Sequence, residues 1–117
     1  MAVSLHSKIS TADANSTLVS ASAQFINKLI VSNSSSAIRY MHLYNTATAP
    51  TAGVGTPVAR ILIPGSLSGT VLSLNFGSYG GLAGFPLGIG YTITTGYADN
   101  DTVAIGAGEV LVNMEYY

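Results

Sequence analysis

The sequence contains no cysteine, so neither disulfide bonds nor thiolate metal sites can hold the fold together. It also has no apolar run close to the roughly 20 residues that a membrane-spanning helix needs. Residues 1–20 lack the apolar segment of a signal peptide, so we expect synthesis in a cytoplasm. With 117 residues, the chain is expected to form one soluble domain.

Charged residues are scarce. They make up 8% of the chain, against about 25% in an average soluble domain. The four basic residues and the net charge of −1 are too little positive charge for a surface that binds nucleic acid. Because so few charges leave little to prevent association, we expect much of the surface to lie against other subunits. A homo-oligomer is predicted, with a trimer as first choice.

What the sequence does contain is period-two alternation, which is typical of β-strands. It is strongest in residues 85–117, where two alternating runs are separated by a turn-rich segment. In the second run Val110, Val112 and Met114 share one face, opposite Leu111, Asn113 and Glu115. Each run therefore offers one mainly apolar face to a core.

Similar runs predict further strands upstream, at 17–21, 25–32, 37–45, 58–63 and 70–76. We expect 25–32 and 37–45 to form an antiparallel hairpin. For residues 12–23 a helix is the alternative to the short strand, but Ser and Thr are mediocre helix formers. The fold class is thus all-β: a single β-sandwich, jelly-roll-like, with seven or eight antiparallel strands. Residues 1–24 are predicted to be an extended N-terminal arm with a short strand, and 25–117 the sandwich domain.

No arrangement of residues indicates catalysis, and no cofactor is expected. His6 and His42 are the two histidines, too few for a zinc site without other ligands. Asp99 and Asp101 resemble the start of a calcium loop, but Asp also makes turns by bonding to the backbone, and we favour the turn. The sequence therefore predicts a protein that is not an enzyme.

Six segments follow one another in an order that resembles a known group of proteins: 40–45, 49–51, 55–58, 88–96, 98–102 and 110–113. As a set they are similar to small β-sandwich structural proteins of tailed bacteriophages, which decorate or cement capsids or belong to tails and baseplates. The likeness covers about residues 25–117. It implies a virion protein on the capsid surface whose partner is the major capsid protein, without catalytic residues, nucleic acid or membrane. The alternative is a tail, baseplate or host-recognition module that binds carbohydrate through the loop tyrosines Tyr79 and Tyr97.

The expected contact segments are the arm and the loops 46–57 and 77–84. The candidate residues for contacts with the capsid or with other subunits are Leu5, Leu18, Pro50, Val54, Tyr79, Leu82, Phe85 and Tyr97.

Overall fold

A computed structural model describes residues 3–66, 70–77 and 81–117 of the chain. In these residues the structure is all-β, with eight strands and no helix. The strands are β1 (Ser4–Ile9), β2 (Thr17–Ser20), β3 (Ile26–Asn33), β4 (Arg39–Asn45), β5 (Ala59–Ile63), β6 (Thr70–Asn75), β7 (Ile89–Thr94) and β8 (Val110–Tyr116). The predicted fold class is confirmed as a β-sandwich, and the strands expected from alternation are all present.

The strands form two antiparallel sheets of four. Sheet I has the order β1-β8-β3-β6, and sheet II has the order β2-β7-β4-β5. The pairing is nested along the chain: β1 pairs with β8, β2 with β7, β3 with β6 and β4 with β5. Two further pairings, β3 with β8 and β4 with β7, join these ladders into the two sheets.

The core lies between the two sheets. Val112 and Met114 of β8 point inward beside Val31 and Leu29 of β3, and all four are at most 1% exposed. Met41, Leu43, Tyr91 and Ile93 fill the facing layer from sheet II. Full burial of one such side chain contributes about 1.5–3 kcal/mol to the stability of the fold. The inward face of β8 is the one that its alternation predicts.

The expected hairpin of 25–32 and 37–45 is wrong. β3 lies in sheet I and β4 in sheet II, so the segment between them crosses the sandwich instead of reversing within a sheet. Asn33 fixes this crossing: its buried side chain donates to the carbonyl of Ala37 at 2.9 Å and accepts from the amide of Ser35 at 2.9 Å. Alternation shows which residues share a face, but it does not show which strand lies alongside.

The N-terminal segment is extended, as predicted, but it is not detached from the sandwich. The short strand expected near 17–21 is β2, which pairs with β7. The preceding residues form β1, which pairs with β8 over its whole length. Residues 4–20 therefore supply one edge strand to each sheet.

Candidate functional site

The two sheets differ in what covers their outer faces. On sheet II, His42 and Thr92 lie opposite each other and point away from the core, yet each is 1% exposed. The loops 46–57 and 95–105 lie over this face and bury it. All six residues of β7 are buried for the same reason, since one side meets the core and the other meets the loops.

The first covering loop lies directly on β7. A side-chain carbon at Gly90 would lie 2.7 Å from Thr46 Cγ2 and 2.8 Å from Pro50 Cδ. Ser16 donates a hydrogen bond to the carbonyl of Pro50 and so ties the loop to the segment before β2. The close approach of the loop therefore disfavours any side chain at position 90.

The second covering loop is held by its aromatic and acidic residues. The carbonyl of Tyr97 lies 3.2 Å from His42 Nε2, and the Tyr97 ring meets the Tyr40 ring edge-on at 6.2 Å. Asp101 accepts from the amide of Val103 at 2.9 Å and so makes the turn that the sequence favours. Asp99 accepts from Arg60 Nη2 at 2.6 Å, and this hydrogen bond lowers the pKa of the carboxyl.

Within residues 3–66, 70–77 and 81–117, by contrast, no loop covers the outer face of sheet I, which is bare. Its first row across the strands carries Ile9, Leu111 and Val71, which are 65%, 39% and 59% exposed. Ser32 lies between Leu111 and Val71 in the same row. Three large aliphatic side chains therefore point from one end of this face into solvent.

The rest of the bare face is nearly uncharged. The second row consists of Ser7, Asn113, Ile30 and Ser73, and the third of Leu5, Glu115, Lys28 and Asn75. Lys28 and Glu115 are directly opposite each other on neighbouring strands, where opposite charges attract and offset one another. The face has no net charge, and we define it by these three rows as the bare face.

Along the β1 side, two residues point inward and close the sandwich. His6 Nε2 lies 2.9 Å from the hydroxyl of Tyr91, with the rings edge-on at 5.6 Å. Lys8 Nζ donates to Thr17 Oγ1 at 2.7 Å. Burial, and next the charge of Lys8, lower the pKa of His6, while burial raises the pKa of Tyr91 to about 12.

The predicted contact residues fall into four groups, of which the last consists of two buried residues. Leu5, Val54 and Tyr97 are 68%, 62% and 73% exposed, and Leu18 is at the margin with 36%. Leu82 is half-buried and bridges to Ile26. Tyr79 lies outside the described residues.

Two of the expected contacts need correction. Phe85 is 1% exposed because its ring belongs to the core cluster, and Pro50 is buried against the segments that carry Gly90 and Ser16. Neither side chain is accessible to a partner. Sequence reasoning missed Ile9 and Val71 as exposed residues, although Val71 alternates with Leu72 and Leu74, which lie on the inward side of β6.

The acidic residues and histidines of the described ranges are scattered. No three His, Asp or Glu side chains converge there as metal ligands. A groove of about 260 Å³ beside Phe25 is lined by Ala23, Gln24, Gly84, Phe85 and Pro86, without a charged side chain. Nor does the described part of the chain contain a helix long and apolar enough to cross a membrane.

Comparison with protein-family models, with curated proteins and with solved structures finds no match to this chain. On the described surface, the bare face of sheet I is the most distinctive feature.

Proposed function

We propose that this chain is a non-enzymatic structural protein of a tailed-bacteriophage virion, which binds the outer capsid surface and stabilises the shell. The observation that supports this most directly is the bare face of sheet I. Ile9, Leu111 and Val71 are exposed there, and the only charges are the opposed Lys28 and Glu115. Such a surface suits a permanent contact, because long-lived interfaces are more apolar than the rest of a protein surface.

The strand order agrees with this proposal at the level of fold. We assign the sandwich to the jelly-roll class. Its four nested pairings, from the outermost (β1 with β8) to the innermost (β4 with β5), are those of one long hairpin that is folded back on itself into two sheets. Jelly rolls occur in viral capsid and lectin domains. A fold of this kind hosts many functions, so the assignment to a capsid depends on the bare face and on the likeness in sequence.

Stabilisation requires no reaction. A protein that binds the assembled shell and not the separate capsid subunits adds free energy to the assembled state by mass action. At a free concentration of 100 times the dissociation constant, the gain is about 2.7 kcal/mol per site. Many such sites on one particle would raise the temperature at which the shell ruptures.

The test uses particles stripped of this protein and reconstituted with variants. We expect stripped particles to rupture at a lower temperature than complete ones, and wild-type protein to restore them. Leu111→Lys places a charge in the bare face and should fail to restore them. Leu62→Lys is the matched control, because Leu62 is similarly exposed, at 49%, but lies on sheet II.

Stripped particles that are as heat-resistant as complete ones would contradict the proposal. So would equal restoration by the two lysine variants. Copy number gives an independent readout: hundreds of copies per particle agree with the capsid, whereas a few dozen or fewer place the protein in the tail or baseplate.

A second function is favoured by one observation. Tyr97 is 73% exposed and stands edge-on to Tyr40 at the outer end of sheet II, and exposed aromatic rings of this kind can stack on sugars. We propose host-glycan recognition as the alternative. Stripped particles that remain robust but no longer adsorb to host cells, with the same defect in Tyr97→Ala, would favour it.

A further inference from the structure

Each sheet of the sandwich has two edge strands, and an open edge is a template for pairing with another chain. In the described residues, three of the four edges carry a feature that discourages pairing. β1 carries Lys8, which points to the inner side, and β2 has only four residues with an irregular register. β5 carries the exposed Arg60 and is preceded by Pro57 and followed by Pro64.

The fourth edge, β6, has none of these features. Its sequence TVLSLN contains no charge, no proline and no glycine. It pairs with β3 in a continuous register from Thr70 to Asn75, without a bulge. Natural sheets seldom leave a regular, uncharged edge of this length unprotected, because it invites association.

The backbone groups available along β6 follow from its ladder with β3. Phe76 donates its amide to the carbonyl of Asn27 at 2.9 Å, and hydrogen-bonded pairs alternate along an antiparallel ladder. Val71, Ser73 and Asn75 therefore direct their N–H and C=O groups away from β3. Among residues 3–66, 70–77 and 81–117, no backbone hydrogen bond reaches those groups.

We propose that β6 pairs with β6 of a second copy of this chain, antiparallel and around a two-fold axis at Ser73. Val71 then lies opposite the partner's Asn75, and Ser73 lies opposite the partner's Ser73. All three outward-directed residues of each copy become hydrogen-bonded pairs, with about six hydrogen bonds in total. Sheet I continues across the axis as one eight-stranded sheet.

A second copy is the occupant that the composition of β6 favours. In a two-fold pairing every side chain meets the same strand, so a charged residue would face a like charge nearby and destabilise the contact. β6 is uncharged, whereas β1 and β5 each carry a basic residue. A two-fold axis relates two copies, and both β6 edges are then occupied, so no third copy can join through them. We therefore propose a dimer in place of the trimer that the low charge suggested. It goes beyond the proposed function, since it needs no capsid.

Single-cysteine variants test the pairing directly, because the chain has no cysteine of its own. Opposed residues of a hydrogen-bonded antiparallel pair have Cα atoms about 5.5 Å apart, within the range that a disulfide spans. Under mild oxidation we expect Ser73→Cys to form a covalent dimer. Ser7→Cys is the matched control, since Ser7 is exposed on the same face but lies on the opposite edge strand.

Sedimentation over a range of concentrations provides the second measurement. We expect the wild type and Ser73→Ala to sediment as dimers. Ser73→Pro removes one outward N–H per copy without breaking the ladder to β3 and is tolerated at an edge; it should weaken dimerisation about 100-fold. Ser73→Lys, which opposes two charges, should act in the same direction if proline perturbs the strand.

Three results would overturn the proposal: a wild type that is monomeric or trimeric throughout, equal cross-linking of Ser73→Cys and Ser7→Cys, or dimers that persist unchanged in both Ser73→Pro and Ser73→Lys. A wild type that is monomeric alone but loses capsid binding in Ser73→Pro would assign the edge to a strand of another protein.

Discussion

His6 makes folding depend on pH at the scale of a single residue. Its ring is packed against Tyr91 near the ammonium group of Lys8, and burial followed by that charge lowers its pKa from 6.5. Above pH 6.5 the imidazole is neutral in both the folded and the unfolded chain. As the pH falls below 6.5, the unfolded chain takes up a proton first, so the free energy of unfolding decreases until the folded-state pKa is reached.

We therefore expect the wild type to lose stability between pH 7.5 and pH 5, and His6→Gln to lose much less. Urea unfolding at several pH values measures the difference. This pH range lies above the one in which Glu109, whose pKa is lowered by its hydrogen bond from Arg39, would change the free energy of unfolding. Parallel slopes for the two proteins would show that His6 is not responsible.

Gly90 tests the covering loop at the same scale. Alanine there would overlap Thr46 Cγ2 and Pro50 Cδ, and overpacking of this kind costs about 1–3 kcal/mol. Thr46→Ser removes the Cγ2 methyl but keeps the hydroxyl, which donates to Thr48. We expect the double variant Gly90→Ala/Thr46→Ser to lose less free energy of unfolding than the two single variants lose together. Thermal or urea unfolding measures the three losses. Strict additivity would mean that the loop does not press on β7.

At the scale of the element, β1 is the strand for which sequence and structure differ most. Residues 1–24 are small and polar, which suggests an arm that contributes to attachment and little to folding. In the structure, residues 4–9 pair with β8, and the inward side chains of His6 and Lys8 contact Tyr91 and Thr17.

Deleting residues 1–9 should therefore lower the free energy of unfolding by about 3 kcal/mol, at about 0.5 kcal/mol for each of the roughly six ladder hydrogen bonds. Denaturant unfolding measures the loss. Deleting residues 1–3 leaves β1 intact and is the control, for which we expect little change. If the longer deletion is equally stable, β1 is an attachment arm after all.

Most of the elements follow from the sequence, because inward and outward residues alternate clearly in strands such as β8. Their arrangement in sheets does not, because alternation is the same whichever strand lies alongside; β3 and β4 show this. β7 is also more deeply buried than its alternation predicts. Thr92 and Thr94 alternate with apolar residues and look exposed, but both are buried under the second covering loop. Contacts over such a distance in sequence leave no local signal.

The candidate surface was likewise predictable only in part. Leu5 and Tyr97, which the sequence predicts as contact residues, are exposed, whereas Phe85, predicted in the same way, is buried. Its ring instead fills the core. The exposure of Val71 has no local signal, because it depends on whether a sheet or loop covers the outer face of the strand.

At the scale of the whole molecule, the few charges leave little net charge on the surface. Arg39 binds Glu109, Arg60 binds Asp99, and Lys28 lies opposite Glu115 on the neighbouring strand. Association through the bare face should therefore depend on apolar burial and hydrogen bonds. Salt screens exposed charges over about 10 Å at 0.1 M, and here it has little to screen.

We expect the affinity for stripped capsids to change less than about threefold between 0.05 and 0.5 M sodium chloride. Sulfate at the same ionic strength should strengthen binding, because excluded salts favour apolar burial. Leu111→Lys should weaken binding in both salts, whereas Leu62→Lys should behave as the wild type. A loss of tenfold or more in sodium chloride would show instead that charged groups make the contact, and Lys28 and Glu115 would then be the residues to exchange first.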